Sequence, residues 1–208
     1  HLPTVVKTNF PVADTVRQFI GSMYASEGRL PPRFYCPFGG NEQLLICPGS
    51  DSYDALVTFT GGKDSLWNLM KAQDEHNRIL AVHISGLNQS VASRERKYVE
   101  KQSMQIGFDL QIIEIKNSRS SRGWKMMRAR NFFLTAISVP LATESGAGKI
   151  YIEGGLSVGE DENGDSYSHR ASAWKSFNQI LAGMGLHVKG DWYDDQQEMG
   201  RIRELLER

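Results

Sequence analysis

From Ala55 onward the chain alternates short apolar runs with longer segments of helical spacing. Ala55–Thr60 (ALVTFT), Ile79–Ile84 (ILAVHI), Asp109–Ile115 (DLQIIEI) and Lys149–Gly154 (KIYIEG) predict four strands. Between them, Ser65–His76, Ser93–Ile106 and Arg130–Ser145 predict helices. This alternation predicts an α/β fold, a doubly wound parallel sheet with helices on both faces. The segment Asn131–Ser145 is apolar nearly all round and should be well buried. Pro140 inside it removes one hydrogen bond and predicts a kink or a restart there. Ser172–Gly183 carries one apolar stripe of Ala173, Trp174, Phe177, Ile180, Leu181 and Met184, with Gly183 and Gly185 as its stop. Gln196–Arg208 again shows helical spacing, at Met199, Ile202, Leu205 and Leu206. It ends without a stop signal, which reads as a chain shorter than the natural protein.

The first 54 residues follow a different pattern. Val12–Ala25 predicts a helix with Val16, Phe19, Ile20 and Met23 on one face. Gly28–Gly40, with Pro31, Pro32 and Pro37, reads as irregular. Gln43–Cys47 predicts a short strand, and Pro48–Asp51 a turn. We read residues 1–54 as an extension packed on a main domain of residues 55–208. No internal repeat and no low-complexity tract interrupts either part.

Composition narrows the function classes. The chain has 208 residues, 24 Lys plus Arg against 24 Asp plus Glu, and 40% hydrophobic residues. Zero formal charge disfavours general nucleic-acid binding. No apolar run approaches the roughly 20 residues that span a bilayer. The first ten residues lack the compact apolar block of a signal peptide, so a cytoplasmic setting is expected. The two cysteines, Cys36 and Cys47, match no closed zinc pattern and read first as two free thiols, with a disulfide and a metal site as the alternatives.

The most informative stretch joins the first main-domain strand to its helix: Thr60-Gly61-Gly62-Lys63-Asp64-Ser65. Adjacent glycines let the backbone adopt positive φ and present successive N–H groups to one concavity. The helix that follows offers free N–H groups and the positive end of its dipole at the same place. Asp64 suits either backbone N–H groups of the turn or a magnesium ion that accompanies phosphates. The adjacent glycines exclude the Walker-type loop, which needs four residues between its glycines. The stretch resembles the Ser-Gly-Gly-x-Asp-Ser signature of the PP-loop ATP pyrophosphatases, of the adenine nucleotide alpha hydrolase type. Thr60 keeps the hydroxyl of the leading serine. Lys63 occupies the free position, where a solvated side chain is the plainer reading.

Within that family the chain most resembles the 7-cyano-7-deazaguanine synthases. Ser90–Gly107 looks like their charged helix after the second strand, although an ordinary amphipathic helix reads the same way. Arg128-Ala129-Arg130-Asn131 followed by an apolar helix resembles their Pro-Gly-Arg-Asn segment. It closes a basic run of Lys116, Arg119, Arg122, Lys125, Arg128 and Arg130, which also reads as a solvated loop. Ile152-Glu153-Gly154-Gly155 ends the fourth predicted strand and leads into the acidic residues Glu160, Asp161, Glu162 and Asp165. Tyr167-Ser168-His169-Arg170 loosely resembles the family's Gly-Tyr-Pro-Asp-Cys-Arg segment, without its Pro, Asp and Cys. Two departures stand out: the chain has no four-cysteine zinc site, and the N-terminal 54 residues have no counterpart in the compact enzymes.

The resemblance implies ATP cleavage between the α and β phosphates and adenylation of a carboxylate, 7-carboxy-7-deazaguanine, followed by amidation with ammonia to an amide or nitrile. Asp64, Arg130 and Asn131 are the implied catalytic residues. Thr60, Gly61, Gly62, Lys63, Asp64 and Ser65 would bind ATP. Ser85 and Gly86, at the end of the second strand, join them from sheet topology alone. Arg128, Arg130, Glu153, Gly154, Tyr167, His169 and Arg170 are the implied substrate-binding residues. ATP and magnesium, with Asp64 as metal ligand, are the expected cofactors. Zinc would require cysteines beyond Arg208. A divergent antiphage branch, joining a deazaguanine to a partner protein, stays open. So do tRNA thiolation, a non-catalytic nucleotide-binding subunit and a homodimer.

Overall fold

The computed structural model describes residues 5–7, 14–26, 33–35, 52–86, 92–114, 130–152, 167–193, 202 and 205–207. The N-terminal part holds β1 (Val5–Lys7), α1 (Asp14–Ser26) and β2 (Arg33–Tyr35). Next come β3 (Ala55–Thr58), α2 (Lys63–Glu75), β4 (Ile79–Ser85), α3 (Ala92–Ile106) and β5 (Asp109–Glu114). The chain continues through α4 (Arg130–Ser145), β6 (Lys149–Tyr151), a 3₁₀ turn at Tyr167–His169, α5 (Ala171–Gly183) and β7 (Lys189–Asp191).

Five strands form one parallel sheet in the order β5-β4-β3-β6-β7, the doubly wound arrangement expected. Each side of the sheet is covered, which is why β3 and β4 read as unbroken apolar runs rather than alternating ones. On one face Leu56, Leu80 and Val82 pack with Phe132 of α4 and Trp174 of α5. On the other, Val57, Phe59 and Ala81 pack with Leu69 of α2 and Val99 of α3. Burying each such side chain is worth about 1.5–3 kcal/mol. The ring of Phe19 on α1 meets Phe132 at 5.1 Å and Phe177 at 5.9 Å, so the first segment contributes directly to the aromatic layer above the sheet.

Several expectations need correction. β3 ends at Thr58 and β6 at Tyr151, both short of the predicted strands, while α2 starts two residues early at Lys63. α4 runs through Pro140 as one helix and does not restart there. The Ser138 and Thr143 hydroxyls bond back to the Leu134 and Val139 carbonyls on either side of it. β1, β2 and β7 were not expected. β7 reads Lys-Gly-Asp and carries no apolar signal, because it is held by partners from elsewhere in the chain. Gly183 is the last residue of α5, but Gly185, at φ +76°, is the one that turns the chain. Its N–H bonds to Ala182 and that of Leu186 to Leu181, the paired bonds of a Schellman stop. The strand expected at Gln43–Cys47 and both cysteines lie outside the described residues. In the C-terminal segment, 202 and 205–207 are helical.

Candidate functional site: the Thr60–Ser65 turn

The strand order reverses at β3, with β4 on one side and β6 on the other. Chain crossovers leave this point in opposite directions, so a crevice opens outside the carboxyl ends of β3 and β6. The Thr60–Ser65 turn lies at that end of β3. Helices in a parallel sheet run against the strands, so the first turns of α2, α4 and α5 share this edge.

The turn is internally braced. The Ser65 side chain is fully buried. Its Oγ donates to the Gly62 carbonyl at 3.0 Å and accepts the Thr60 N–H at 3.2 Å. With the single Ser65 proton spent on Gly62, the Thr60 hydroxyl is the donor in the third contact, Thr60 Oγ1 to Ser65 Oγ at 3.2 Å. The Gly62 N–H reaches Thr60 Oγ1 only at 3.5 Å, the outer limit of a hydrogen bond. Ser65 therefore shapes the turn with its hydroxyl and is the third residue of α2, not the first. Gly62 is the N-cap of α2, and among the described residues no side chain caps that end. A helix start of this kind suits an anion through its N–H groups and dipole.

The two glycines differ. Gly61 adopts φ +82°, the left-handed region. Gly62 sits at φ −78° and ψ 165°, a conformation any residue adopts, so the positive φ that the glycine pair permits is used at Gly61 alone. Gly61 is also hemmed in by α3: a Cβ would lie 3.0 Å from Val99 Cγ1 and 3.1 Å from both Tyr98 and Gln102. Asp64 pairs with Lys63 at 3.0 Å, both side chains partly exposed. Among the described residues no three His, Cys, Asp or Glu side chains come together. Among the described residues, Asp64 is the carboxylate of this turn that would hold a magnesium ion.

The remaining expected residues distribute as follows. Arg130 opens α4 and Asn131, buried, follows it in the first turn. Ser85 is buried at the end of β4, with Gly86 beyond it at φ +90°. Tyr167 packs its ring on Phe19 and Phe132, and burial raises its pKa. His169 ends the 3₁₀ turn. Arg170 is the N-cap of α5, its guanidinium 5.9 Å from the Tyr167 ring. Arg128, Glu153 and Gly154 lie outside the described residues.

No protein-family model matches the sequence, and no curated protein matches it. Among solved structures, the chain resembles the U34-tRNA thiolase NcsA from Methanococcus maripaludis, solved with its [4Fe-4S] cluster. The TM-score is 0.50 at 14% identity, over 76% of this chain. The two chains share a fold. The match spans 58% of the thiolase chain.

Three side chains around the shared-fold crevice escaped the sequence reading. Asn68, buried on α2, donates to the Ile152 carbonyl and ties that helix to the end of β6. His83, buried on β4, donates from Nδ1 to the Phe59 carbonyl at 2.9 Å. Its Nε2 is buried with no partner among the described residues. Gln102 on α3 donates to the Gly61 carbonyl at 3.4 Å. Asn68 and His83 are polar residues inside apolar stripes, and that was the available signal. Gln102 carried none, because nothing local says which helix will lie beside the turn. Among the described residues no helix is long and apolar enough to cross a membrane.

Proposed function

We propose that the chain is an ATP pyrophosphatase of the PP-loop kind, which transfers AMP to an acceptor and holds the departing pyrophosphate in the Thr60–Ser65 turn. One observation carries this reading: a left-handed glycine feeds an uncapped helix end at the crevice where the sheet order reverses. Backbone N–H groups there neutralise an anion without bringing a counter-charge. The fold likeness to a tRNA thiolase supports the same reading at the level of architecture.

The acceptor we favour is a carboxylate of the 7-carboxy-7-deazaguanine type. Its oxygen attacks the α-phosphorus, the bond to the pyrophosphate oxygen breaks, and an acyl-adenylate forms. Ammonia, or an amine on a partner protein, then displaces AMP to leave an amide. With ammonia, a second adenylation, on the amide oxygen, followed by loss of two protons and AMP, gives the nitrile. The main work of the protein is to hold two anions together and offset their repulsion. Arg130, at the α4 end of the same edge, suits the second anion through its paired donors. Asn131 beside it would orient the acceptor. Asp64 would hold the magnesium that accompanies ATP, which supplies charge neutralisation.

A second reading is tRNA-base thiolation, in which sulfur displaces AMP from an adenylated base. The fold likeness favours it. Labelled ATP separates the readings. AMP and pyrophosphate formed only with the deazaguanine acid and an amine support the first, and formation only with tRNA and a sulfur donor supports the second. Release of ADP would contradict both.

A further inference from the structure

We infer that Gln102 is a positioning residue for the phosphate turn, holding the Gly61–Gly62 peptide so that the Gly62 N–H faces the crevice. The inference rests on the pyrophosphate reading above. Gln102 reaches across 41 residues of sequence to the Gly61 carbonyl, with Nε2 to O at 3.4 Å. Its Oε1 lies 3.1 Å from where a Cβ of Gly61 would be, and is buried with no partner among the described residues. Both ends of one carboxamide therefore bear on a single glycine.

The consequence follows from peptide geometry. In a trans peptide the carbonyl of one residue and the N–H of the next point in opposite directions. Gln102 holds the Gly61 carbonyl on the α3 side. The Gly62 N–H is thereby turned away from α3. α3 packs against β4 and β5, on one side of the reversal point between β3 and β6. Among the described residues that N–H finds only Thr60 Oγ1, at 3.5 Å. Such a donor, weakly engaged and fixed in direction, is what an incoming phosphate oxygen requires. Tyr98 and Val99 crowd Gly61 from the same helix: a Cβ there would lie 3.1 and 3.0 Å from them.

The test compares pyrophosphate and AMP as ligands by calorimetry, using the whole chain. The wild-type protein is expected to bind both. Gln102→Leu should weaken pyrophosphate binding about five- to tenfold, the value of one oriented hydrogen bond, and leave AMP binding and the melting temperature nearly unchanged. Unaltered pyrophosphate affinity in this variant would overturn the inference. Equal weakening of both ligands with a lowered melting temperature would also overturn it, since that marks a packing role alone. Wild-type protein that binds no pyrophosphate would overturn the pyrophosphate reading itself, which is a distinct outcome. Should Gln102→Leu fail to fold, the unbranched Gln102→Met carries the same comparison.

Discussion

The Ser65 hydroxyl donates to the Gly62 carbonyl at 3.0 Å, and so ties the third residue of α2 to its own N-cap. The same oxygen accepts the Thr60 N–H. Ser65→Ala removes both bonds, and the one from the Thr60 hydroxyl, at a fully buried position and leaves the Thr60 N–H without that partner. We expect a loss of about 1–3 kcal/mol in urea unfolding. ATP-dependent pyrophosphate release should fall further than stability does, because the turn is no longer held in shape.

The contrast between the two glycines gives a sharper experiment. Gly61→Ala must adopt φ +82° and place a Cβ 3.0 Å from Val99. The left-handed conformation alone costs about 1–2 kcal/mol for a residue with a Cβ. Gly62→Ala meets no such backbone penalty, at φ −78°. Gly61→Ala should therefore be the more destabilised of the two in thermal unfolding, and should lose nucleotide binding. Equal melting temperatures for the pair would show that the turn is not built as described.

On the far edge of the sheet, the Asn178 carboxamide bonds both backbone groups of Gly190. It donates to the carbonyl at 2.9 Å and accepts the N–H at 2.8 Å. A side chain thus stands where another strand would pair, which blunts the exposed edge of β7. Trp174, fully buried, lies against the same glycine, with Cζ3 2.5 Å from where a Cβ would go. Gly190→Ala should cost about 1–3 kcal/mol through overpacking. Asn178→Ala should cost about 0.5–1.5 kcal/mol, because water can reach part of the freed edge. It should also raise concentration-dependent association, measured by light scattering.

Tyr193 stacks on Tyr151 at 4.5 Å, and burial raises its pKa far above the usual tyrosine range, with Tyr151 and Glu75 adding to the effect. The unfolded tyrosine ionises near pH 10. Above that pH the unfolded state has lost a proton that the folded state retains. Stability should be fully present below pH 10 and decline as pH rises beyond it. Urea midpoints measured from pH 8 to 11 should fall at the alkaline end. Tyr193→Phe should show a shallower fall, and an identical slope would refute the assignment.

The strands β3 and β4 were legible because both their faces are buried, so nearly every position had to be apolar. β5 was legible from Ile112 and Ile113 beside its polar residues. The Thr60–Ser65 turn was legible because its glycines fall directly between strand and helix. β7 was not legible. Its stability comes from Asn178 and Trp174 on α5, and a three-residue Lys-Gly-Asp segment records none of that. The difference between Gly61 and Gly62 was hidden too, since identical residues carry no mark of which will take the left-handed conformation. Asn68 and His83 were visible as polar interruptions, but their partners, the Ile152 and Phe59 carbonyls, could not be read from spacing.

By itself the amino-acid order determined the alternation of strands and helices, and with it a covered parallel sheet, because burial on two faces dictates composition position by position. It also marked a candidate anion site, because paired glycines before a helix start leave backbone donors accessible. The tertiary structure alone decided that α3 would lie against Gly61, that Gln102 would grip its carbonyl, and that Asn178 would stand in for a missing strand. Those contacts join residues far apart in the chain. Each depends on where packing brings whole elements to rest, and no local pattern encodes that position.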